Sequence, residues 1–411
     1  MSNLSEPHLQ ADFSGVVDPS DPELTSLVTA TGLRSRKAST LKAALEGSLW
    51  SYEITRVADI TDFDYLGIPV HMALKPQGKT LSSGSGKGET REASWISAVM
   101  EACEQTVWEN LTPSPIEASE RALDELGHRH VSGRILPRVK RSIWNDRMPV
   151  QWRLGWDISS GESVYVPDGM VVTGSPGLNP FVSGSNGLAS GAHVLEAVLS
   201  GLLEVVERDG IMLNTVATRQ PMFSPIEMLR LASPSMADAF ERTRLPLAVR
   251  DATTEVGIPT IVAYLGDELG GRTGAFKGAG AATSTHAALV RAVSEAAQAR
   301  CLIVAGARDD HFASQRRSGI RQPAAGAYEV PEPFVGNIDL GTGSIAGDID
   351  LIVGRLRASG FDQVIVVRHT EPEELVQVVR VIVPGLEGYK FAHADLGDRA
   401  RAYAGIERGT S

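Results

Sequence analysis

The stretch SNGLASGAHVLEAVLSGLLEVVERDG, residues 185–210, decides the fold of this 411-residue chain. A segment rich in glycine and serine runs directly into an apolar run that carries the acids Glu204 and Glu207. A second stretch, SGSGKGETREASWISAVMEACEQ at residues 83–105, has the same order of features. Both fit the pattern Gly-x3-Gly-x8-Ser-x3-Glu-x2-Glu, so the chain contains an internal repeat.

The polar positions of the repeat indicate two helices, each with one acidic face. Positions i, i+4 and i+7 lie on the same side of a helix. They are Ser97, Glu101 and Glu104 in the first copy and Ser200, Glu204 and Glu207 in the second. The helices are otherwise apolar, so another group must offset the burial of these carboxylates. Mg²⁺ between the two faces is the simplest choice, because it prefers hard oxygen ligands. Ion pairs with arginines at a helix interface are the alternative.

A third apolar helix is predicted at residues 285–306, THAALVRAVSEAAQARCLIVAG. Arg291, Glu295 and Gln298 share one of its faces at the same spacing. The glycine- and serine-rich segments before the first two helices are predicted to be loops. Together with Lys87, their N–H groups are suited to holding phosphate oxygens. The residues alone therefore indicate an enzyme that uses a Mg²⁺-bound nucleotide.

Composition restricts the class of protein. Apolar residues make up 42% of the chain and charged residues 22%, which is typical of a soluble globular protein. The net charge of −11 argues against broad binding of nucleic acid. We expect no membrane span and no signal peptide. The two cysteines, Cys103 and Cys301, fall in predicted helices, which favours a reducing cytoplasm.

The chain divides into three regions by composition. Residues 1–45 are expected to form a variable, loosely organised lead-in, interrupted by the basic stretch GLRSRKAST at residues 32–40. Residues 46–395 are expected to form one catalytic domain. Its C-terminal part, 330–395, is predicted to contain a strand–helix–strand unit with parallel pairing. Residues 396–411 are expected to form a flexible tail.

In its three helical stretches the chain resembles the YcaO family of ATP-dependent enzymes, which activate backbone amides of peptides. The resemblance implies a mixed α/β (α+β) fold in which internally repeated strand–helix units surround a Mg²⁺-ATP site. It places Mg²⁺ on Glu101, Glu104, Glu204 and Glu207. It places ATP on Lys87, Ser97, Asn186, Glu196, Arg208, Glu295, Gln298 and Arg300. It names no catalytic acid or base, because such a site acts by positioning. Gln105 departs from the family pattern, which has arginine there.

The resemblance also implies the reaction. The amide oxygen of a ribosomally made precursor peptide attacks the γ-phosphate of ATP, a nucleophile adds to the amide carbon, and phosphate leaves. An external sulfur donor gives a thioamide, which we favour, with a TfuA-like or leader-recognition protein as partner. Azoline or macroamidine formation by a stand-alone enzyme is the alternative. A catalytically silent member that binds a peptide or partner is a second alternative, and Gln105 is the feature that favours it. The sequence does not determine the oligomeric state, and a homodimer is compatible with it.

Overall fold

Three helices of about twenty residues, each following a short strand, form the framework of the molecule. The computed structural model describes residues 26–111, 116–217, 221–266, 276–306, 332–388 and 394–406. The helices are α1 (Ala38–Glu46), α2 (Arg91–Asn110), α3 (Glu120–Glu125), α4 (Val194–Val216), α5 (Ile226–Ala232), α6 (Pro234–Thr243), α7 (Thr285–Val304), α8 (Ile345–Ala358) and α9 (Asp398–Tyr403). The strands are β1 (Leu27–Thr29), β2 (Gly32–Arg34), β3 (Arg56–Asp59), β4 (Val70–Leu74), β5 (Ser83–Lys87), β6 (Ile116–Ala118), β7 (Val150–Asp157), β8 (Glu162–Pro167), β9 (Leu188–Gly191), β10 (Leu247–Asp251), β11 (Thr260–Leu265), β12 (Phe276–Ala281), β13 (Ile365–Arg368) and β14 (Gln377–Ile382).

The strands pair antiparallel in separate sheets, and each of the three long helices follows the edge strand of one of them. Two sheets have three strands, in the orders β3-β4-β5 and β10-β11-β12. A larger sheet has the order β6-β7-β13-β14-β9, with β8 also paired to β7. Helices α2, α4 and α7 follow β5, β9 and β12 respectively. The mixed fold with repeated strand–helix units that the sequence predicted is therefore confirmed.

Side chains at the N-termini define where the three helices begin. The Thr90 hydroxyl accepts a hydrogen bond from the Ala93 N–H at 3.1 Å, and Ser284 caps α7 in the same way. The His193 ring caps α4 by accepting from the Leu195 N–H at 3.2 Å. Such caps satisfy N–H groups that have no partner inside the helix.

The glycines before α2 serve a different purpose from the predicted one. The segment expected to be a phosphate-binding loop is strand β5, which packs along α2. A Cβ at Gly86 would lie 2.0 Å from the Ala98 nitrogen, and one at Gly84 would lie 2.6 Å from the Ala102 nitrogen. Glycine is required because the strand backbone touches the helix backbone.

The same close approach occurs in the third unit, which the two-copy sequence pattern did not reveal. A Cβ at Gly278 would lie 2.2 Å from the Ala296 nitrogen, and one at Gly280 would lie 2.4 Å from the Ala288 oxygen. Strand β12 therefore packs on α7 as β5 packs on α2.

We expect Gly86→Ala to destabilise the fold strongly, because the new methyl group would overlap the backbone of α2. The effect should exceed the roughly 1–3 kcal/mol usual for overpacking a core. Gly354→Ala is the control, since Gly354 is an exposed residue of α8 with open space around it. That change should be neutral or stabilise by up to about 1 kcal/mol. Urea unfolding of both variants checks the prediction, and equal midpoints would contradict it.

The secondary structure of two segments differs from the one predicted from the sequence. One segment lies near the N-terminus and the other lies in the C-terminal part. Residues 26–45, expected to be loosely organised, contain the hairpin β1-β2 and most of α1. The predicted strand–helix–strand unit is wrong, because β13 and β14 form an antiparallel hairpin. Residues 377–382, QVVRVI, are buried throughout, and their β-branched side chains favour a strand over a helix.

The predicted C-terminal tail is anchored where the structure describes it. Helix α9 lies against α4, and Arg399 forms ion pairs with Asp209 at 2.5 Å and Glu255 at 2.6 Å. Burial raises the pKa of Asp209 to about 6, although Arg399 opposes this. Residues 407–411, also predicted to belong to the tail, lie outside the described residues.

The core supports the long helices from both sides. Helix α4 packs against α8 and against β14 of the larger sheet. Helix α7 packs on β11 and β12 with α5 nearby. Within the described ranges, no helix is both long enough and apolar enough to cross a bilayer.

Candidate functional site

An open cleft of about 960 Å³ lies among the three long helices. Its walls are parts of α2, α4 and α7, and a further side is formed by the β1-β2 hairpin and the start of α1. The predicted site residues that line it are Lys87, Ser97, Glu101, Glu104, Glu196, Glu204, Glu207, Arg208, Glu295 and Gln298. The fold thus brings together side chains from all three predicted helices.

The first acid pair, on α2, contains one carboxylate held by hydrogen bonds and one with a strongly perturbed pKa. Glu101 accepts from the Ser85 N–H at 3.1 Å and from the Gln105 amide at 3.3 Å. Burial in the cleft raises the pKa of Glu104 well above its usual value, and the charges of Glu204 and Glu101 raise it further. The acids of α2 and α4 therefore repel each other across the cleft.

The second acid pair, on α4, contains two carboxyl groups with raised pKa values. Glu204 lies 3.7 Å from Arg208, yet burial still raises the pKa of Glu204. Glu207 accepts from the Ala281 N–H of β12 at 3.2 Å. Burial, followed by the charge of Glu295, raises the pKa of Glu207 to about 7.

Helix α7 forms another wall of the cleft, and it carries both acidic and basic side chains. The Glu295 carboxylate pairs with the Lys87 ammonium at 3.0 Å. Burial alone would raise the pKa of Glu295, but Lys87, Arg208 and Arg291 together hold it below its usual value. Burial lowers the pKa of Arg291, although Glu207 opposes this.

Glu196 lines the cleft but is engaged by the N-terminal segment. Its carboxylate accepts from the Ser35 hydroxyl at 2.5 Å, the Ser35 N–H at 3.2 Å and the Ala192 N–H at 3.3 Å. The Arg34 guanidinium lies 3.7 Å away. Glu196 therefore fixes the N-terminal wall of the cleft in this structure, a role that the sequence did not predict.

Several basic residues of the cleft were not among the predicted site residues. Arg34, Arg36 and Lys37 come from the N-terminal wall, and Lys277 comes from β12. The basic stretch at residues 32–40 was visible in the sequence. Nothing in its spacing linked it to α4, because Ser35 and Glu196 are 161 residues apart. No sequence pattern around Lys277 predicted that it would line the cleft.

Two predicted nucleotide-binding residues lie outside the cleft lining. The Arg300 guanidinium is buried, pairs with Asp64 at 3.0 Å and faces the rings of Tyr65 and Phe276. Five residues turn an α-helix by about 140°, so Arg300 points away from the face that carries Glu295.

Asn186 is the second such residue. Its carbonyl oxygen accepts a hydrogen bond from Arg380 at 2.8 Å. Its side-chain oxygen is buried and has no hydrogen-bond partner among the described residues. The preceding residue, Ser185, does line the cleft.

The four acids suit Mg²⁺ that is shared with phosphate oxygens. All four are hard oxygen donors. Burial raises the pKa of Glu104, Glu204 and Glu207, and the negative charge of neighbouring acids raises each of these pKa values further. In the part of the chain that the structure describes, no three His, Cys, Asp or Glu side chains are arranged to hold a metal ion by themselves. Mg²⁺ commonly takes one or two carboxylates and completes its shell with water and substrate phosphates. The donor set therefore fits the ion.

The raised pKa values predict how stability depends on pH. A carboxyl group with a raised pKa in the folded state holds its proton more tightly there than in the unfolded chain. Its favourable contribution is complete below the unfolded pKa and is lost as pH rises through the folded pKa. For Glu207, with a shift from 4.5 to about 7, the loss is on the order of 3 kcal/mol.

We therefore expect the metal-free wild type to lose stability relative to Glu207→Gln between about pH 5 and pH 8. Burial holds the pKa of His369 well below its usual value and acts in the opposite direction in both proteins, so the difference between them isolates Glu207. Urea unfolding in a chelator measures both proteins. A difference that stays constant across this window would contradict the assignment.

Comparison with known proteins agrees with this architecture. Residues 85–387 match the family described as YcaO cyclodehydratase, ATP- and Mg²⁺-binding. An uncharacterised protein from the tfuA 3′ region of Rhizobium leguminosarum bv. trifolii is 34% identical over 367 residues, 84% of this chain and 86% of that protein.

Two solved structures share the fold. YcaO from Methanopyrus kandleri, bound with AMPPCP and Mg²⁺, has a TM-score of 0.66 and 22% identity, covering 91% of this chain and 99% of that one. A heterocyclase in complex with substrate and cofactor has a TM-score of 0.72 and 21% identity, covering 89% of this chain. Our chain spans 55% of that heterocyclase. The family match extends over more than half of the sequence and includes all three long helices, so the chain belongs to the ATP- and Mg²⁺-binding YcaO family.

Proposed function

We propose that this protein uses ATP and Mg²⁺ to phosphorylate the oxygen of a backbone amide in a ribosomally made precursor peptide. The observation that supports this proposal most directly is the composition of the cleft. Two pairs of acids line it together with two cations: Glu101 and Glu104, Glu204 and Glu207, Lys87 and Arg208. An amide is a poor electrophile and its oxygen is a poor leaving group. Phosphorylation of that oxygen makes it leave readily once a nucleophile has added to the carbon.

In this proposal the side chains of the cleft mainly bind and orient the reactants. The two acid pairs would hold Mg²⁺, which supplies positive charge against the phosphoryl oxygens. Lys87 and Arg208 would neutralise the charge that develops on the transferred group. The hydrogen bonds from Ser85 and Gln105 would fix the orientation of Glu101. The reaction gains chiefly from holding the amide in line with the phosphate.

We favour a thioamide as product and a TfuA-like protein as partner. The relative from the tfuA 3′ region, with its high coverage of both chains, supports this choice. Azoline or macroamidine formation is the alternative within the same chemistry. We also propose a cytoplasmic location and a homodimer, and the net charge of −11 favours a peptide over nucleic acid as partner.

The alternative of a catalytically silent protein that binds a peptide or partner is based on Gln105. This residue occupies the position of an arginine in the family pattern. Here the Gln105 amide donates to Glu101 and so orients an acid of the site. A hydrogen bond that orients a proposed Mg²⁺ ligand is expected in an active enzyme. Gln105 therefore gives only weak support to the catalytically silent alternative.

The test is to incubate purified protein with ATP, Mg²⁺, a sulfur donor and candidate peptides, with and without a TfuA-like protein. Phosphate release and peptide mass are followed together. A mass gain from exchange of oxygen for sulfur would support thioamide formation, whereas loss of one water would indicate azoline or macroamidine. Absence of peptide-dependent phosphate release under every condition would overturn the proposal.

A further inference from the structure

One cation of the cleft, Lys277 on β12, is not among the side chains that the proposed reaction uses. The side chain of Lys277 is half-buried and lines the cleft. Among the described residues, no carboxylate forms an ion pair with it. The other central cations differ, because Lys87 pairs with Glu295 and Arg208 lies near Glu204.

The surroundings of Lys277 are predominantly positive. Its register partner on β11 is Tyr264, and the Arg250 guanidinium of β10 lies over that ring at 5.2 Å. The Arg250 Nε is buried and has no hydrogen-bond partner in the described part of the chain. Arg208 of α4 adds a further positive charge, and Glu295 of α7 is the acid that acts on Lys277. Burial, followed by the charge of Arg250, lowers the pKa of the Lys277 ammonium.

The backbone of β12 directs Lys277 into the cleft that contains the proposed Mg²⁺ ligands. Residues 277 and 279 both line the cleft, while Gly278 and Gly280 face α7. Further along the same strand, the Ala281 N–H donates to Glu207. One strand thus carries both a hydrogen bond to a proposed Mg²⁺ ligand and a lysine that opens onto the cleft.

We propose that Lys277 is a phosphate-binding residue that contacts the β- or γ-phosphate oxygens of the nucleotide. This inference rests on the proposed function, since it assumes that ATP occupies the cleft. A lysine without a carboxylate partner, next to two guanidinium groups, gains most from an anion with several negative oxygens. The ammonium would donate hydrogen bonds to phosphate, and Arg250 would keep it directed away from β10 by charge repulsion.

The experiment measures binding of two ligands by calorimetry in the presence of Mg²⁺: the β,γ-methylene analogue of ATP, and AMP, which lacks the outer phosphates. We expect Lys277→Met to weaken binding of the analogue about 10- to 100-fold, because a charge-assisted hydrogen bond is lost. Binding of AMP should not change. Lys277→Arg should keep the affinity within a few-fold of the wild-type value.

The matched control is Lys140→Met, because Lys140 is exposed and does not line the cleft. It should bind both ligands like the wild type. Removing Lys277 should leave the thermal unfolding temperature unchanged or raise it, since the lysine sits among like charges. An equal loss of affinity for AMP and for the analogue would show a general disturbance of the site and would overturn the inference.

The two proposals fail in different ways. If the wild type binds the analogue and Lys277→Met binds it equally well, the assignment of Lys277 is wrong while the proposed function stands. If the wild type does not bind the analogue with Mg²⁺, the proposed function is wrong and the assignment of Lys277 fails with it.

Discussion

Replacing Glu104 with glutamine should reduce ATP-dependent phosphate release on the order of 100-fold or more while slightly stabilising the metal-free protein. Both effects have one cause. The pKa of Glu104 is raised by burial and by the charges of Glu204 and Glu101, so its carboxylate is repelled by its neighbours. Glutamine keeps the shape and removes that repulsion. It also removes a charge that would bind Mg²⁺.

The measurements are phosphate release with peptide and Mg²⁺, and urea unfolding with and without Mg²⁺. Wild-type protein should gain stability from Mg²⁺, whereas Glu104→Gln should gain little. Glu92→Gln is the control, since Glu92 lies exposed on the same helix and also lines the cleft. A Glu104→Gln variant with normal turnover would show that the acid pairs do not bind the metal.

Replacing Lys75 with methionine should cost about 3–5 kcal/mol of unfolding free energy, the range for breaking a buried ion pair from one side. Lys75 pairs with Glu109 at 2.7 Å, and both side chains are almost completely buried. Burial alone would raise the pKa of Glu109, but hydrogen bonds from Lys75 and Thr80 hold it below its usual value. Loss of Lys75 would leave a buried carboxylate without its cation.

Urea unfolding measures this effect. Lys79→Met is the matched control, because Lys79 is exposed. Within the described ranges its ammonium donates only to the Glu109 main-chain carbonyl and the Asn110 side chain. That variant should lose less than about 1 kcal/mol. A second change, Glu109→Gln, should recover part of the loss caused by Lys75→Met. A Lys75→Met variant as stable as the Lys79→Met variant would contradict the prediction.

The carboxylate pairs were readable from the sequence because their spacing is local. Positions three and four apart define a helix face without any knowledge of the tertiary structure. The grouping of Glu101, Glu104, Glu204 and Glu207 around one cleft follows from that spacing and from the repetition of the unit. The mixed fold was expected from the resemblance to the YcaO family.

The glycines and the N-terminal wall were misjudged because their role depends on long-range contacts. A Gly-Ser-Gly segment is compatible with a loop or with a strand that touches a helix, and only the packing on α2 distinguishes the two. Ser35 contributes to the cleft through Glu196, which is distant in sequence. Arg300 lies within the matching third stretch, yet the rotation of α7 directs it to Asp64.

The contact of main chain with main chain at Gly86 and Gly278 has a consequence for how this site can change during evolution. The distances of α2 and α7 from their strands are set by backbone atoms and not by the sizes of interlocking side chains. Substitutions elsewhere on these helices can therefore accumulate without shifting the helix axes, and the acids keep their positions. The requirement for glycine falls on strand positions outside the cleft lining, so it places no restriction on the cleft residues that select a substrate.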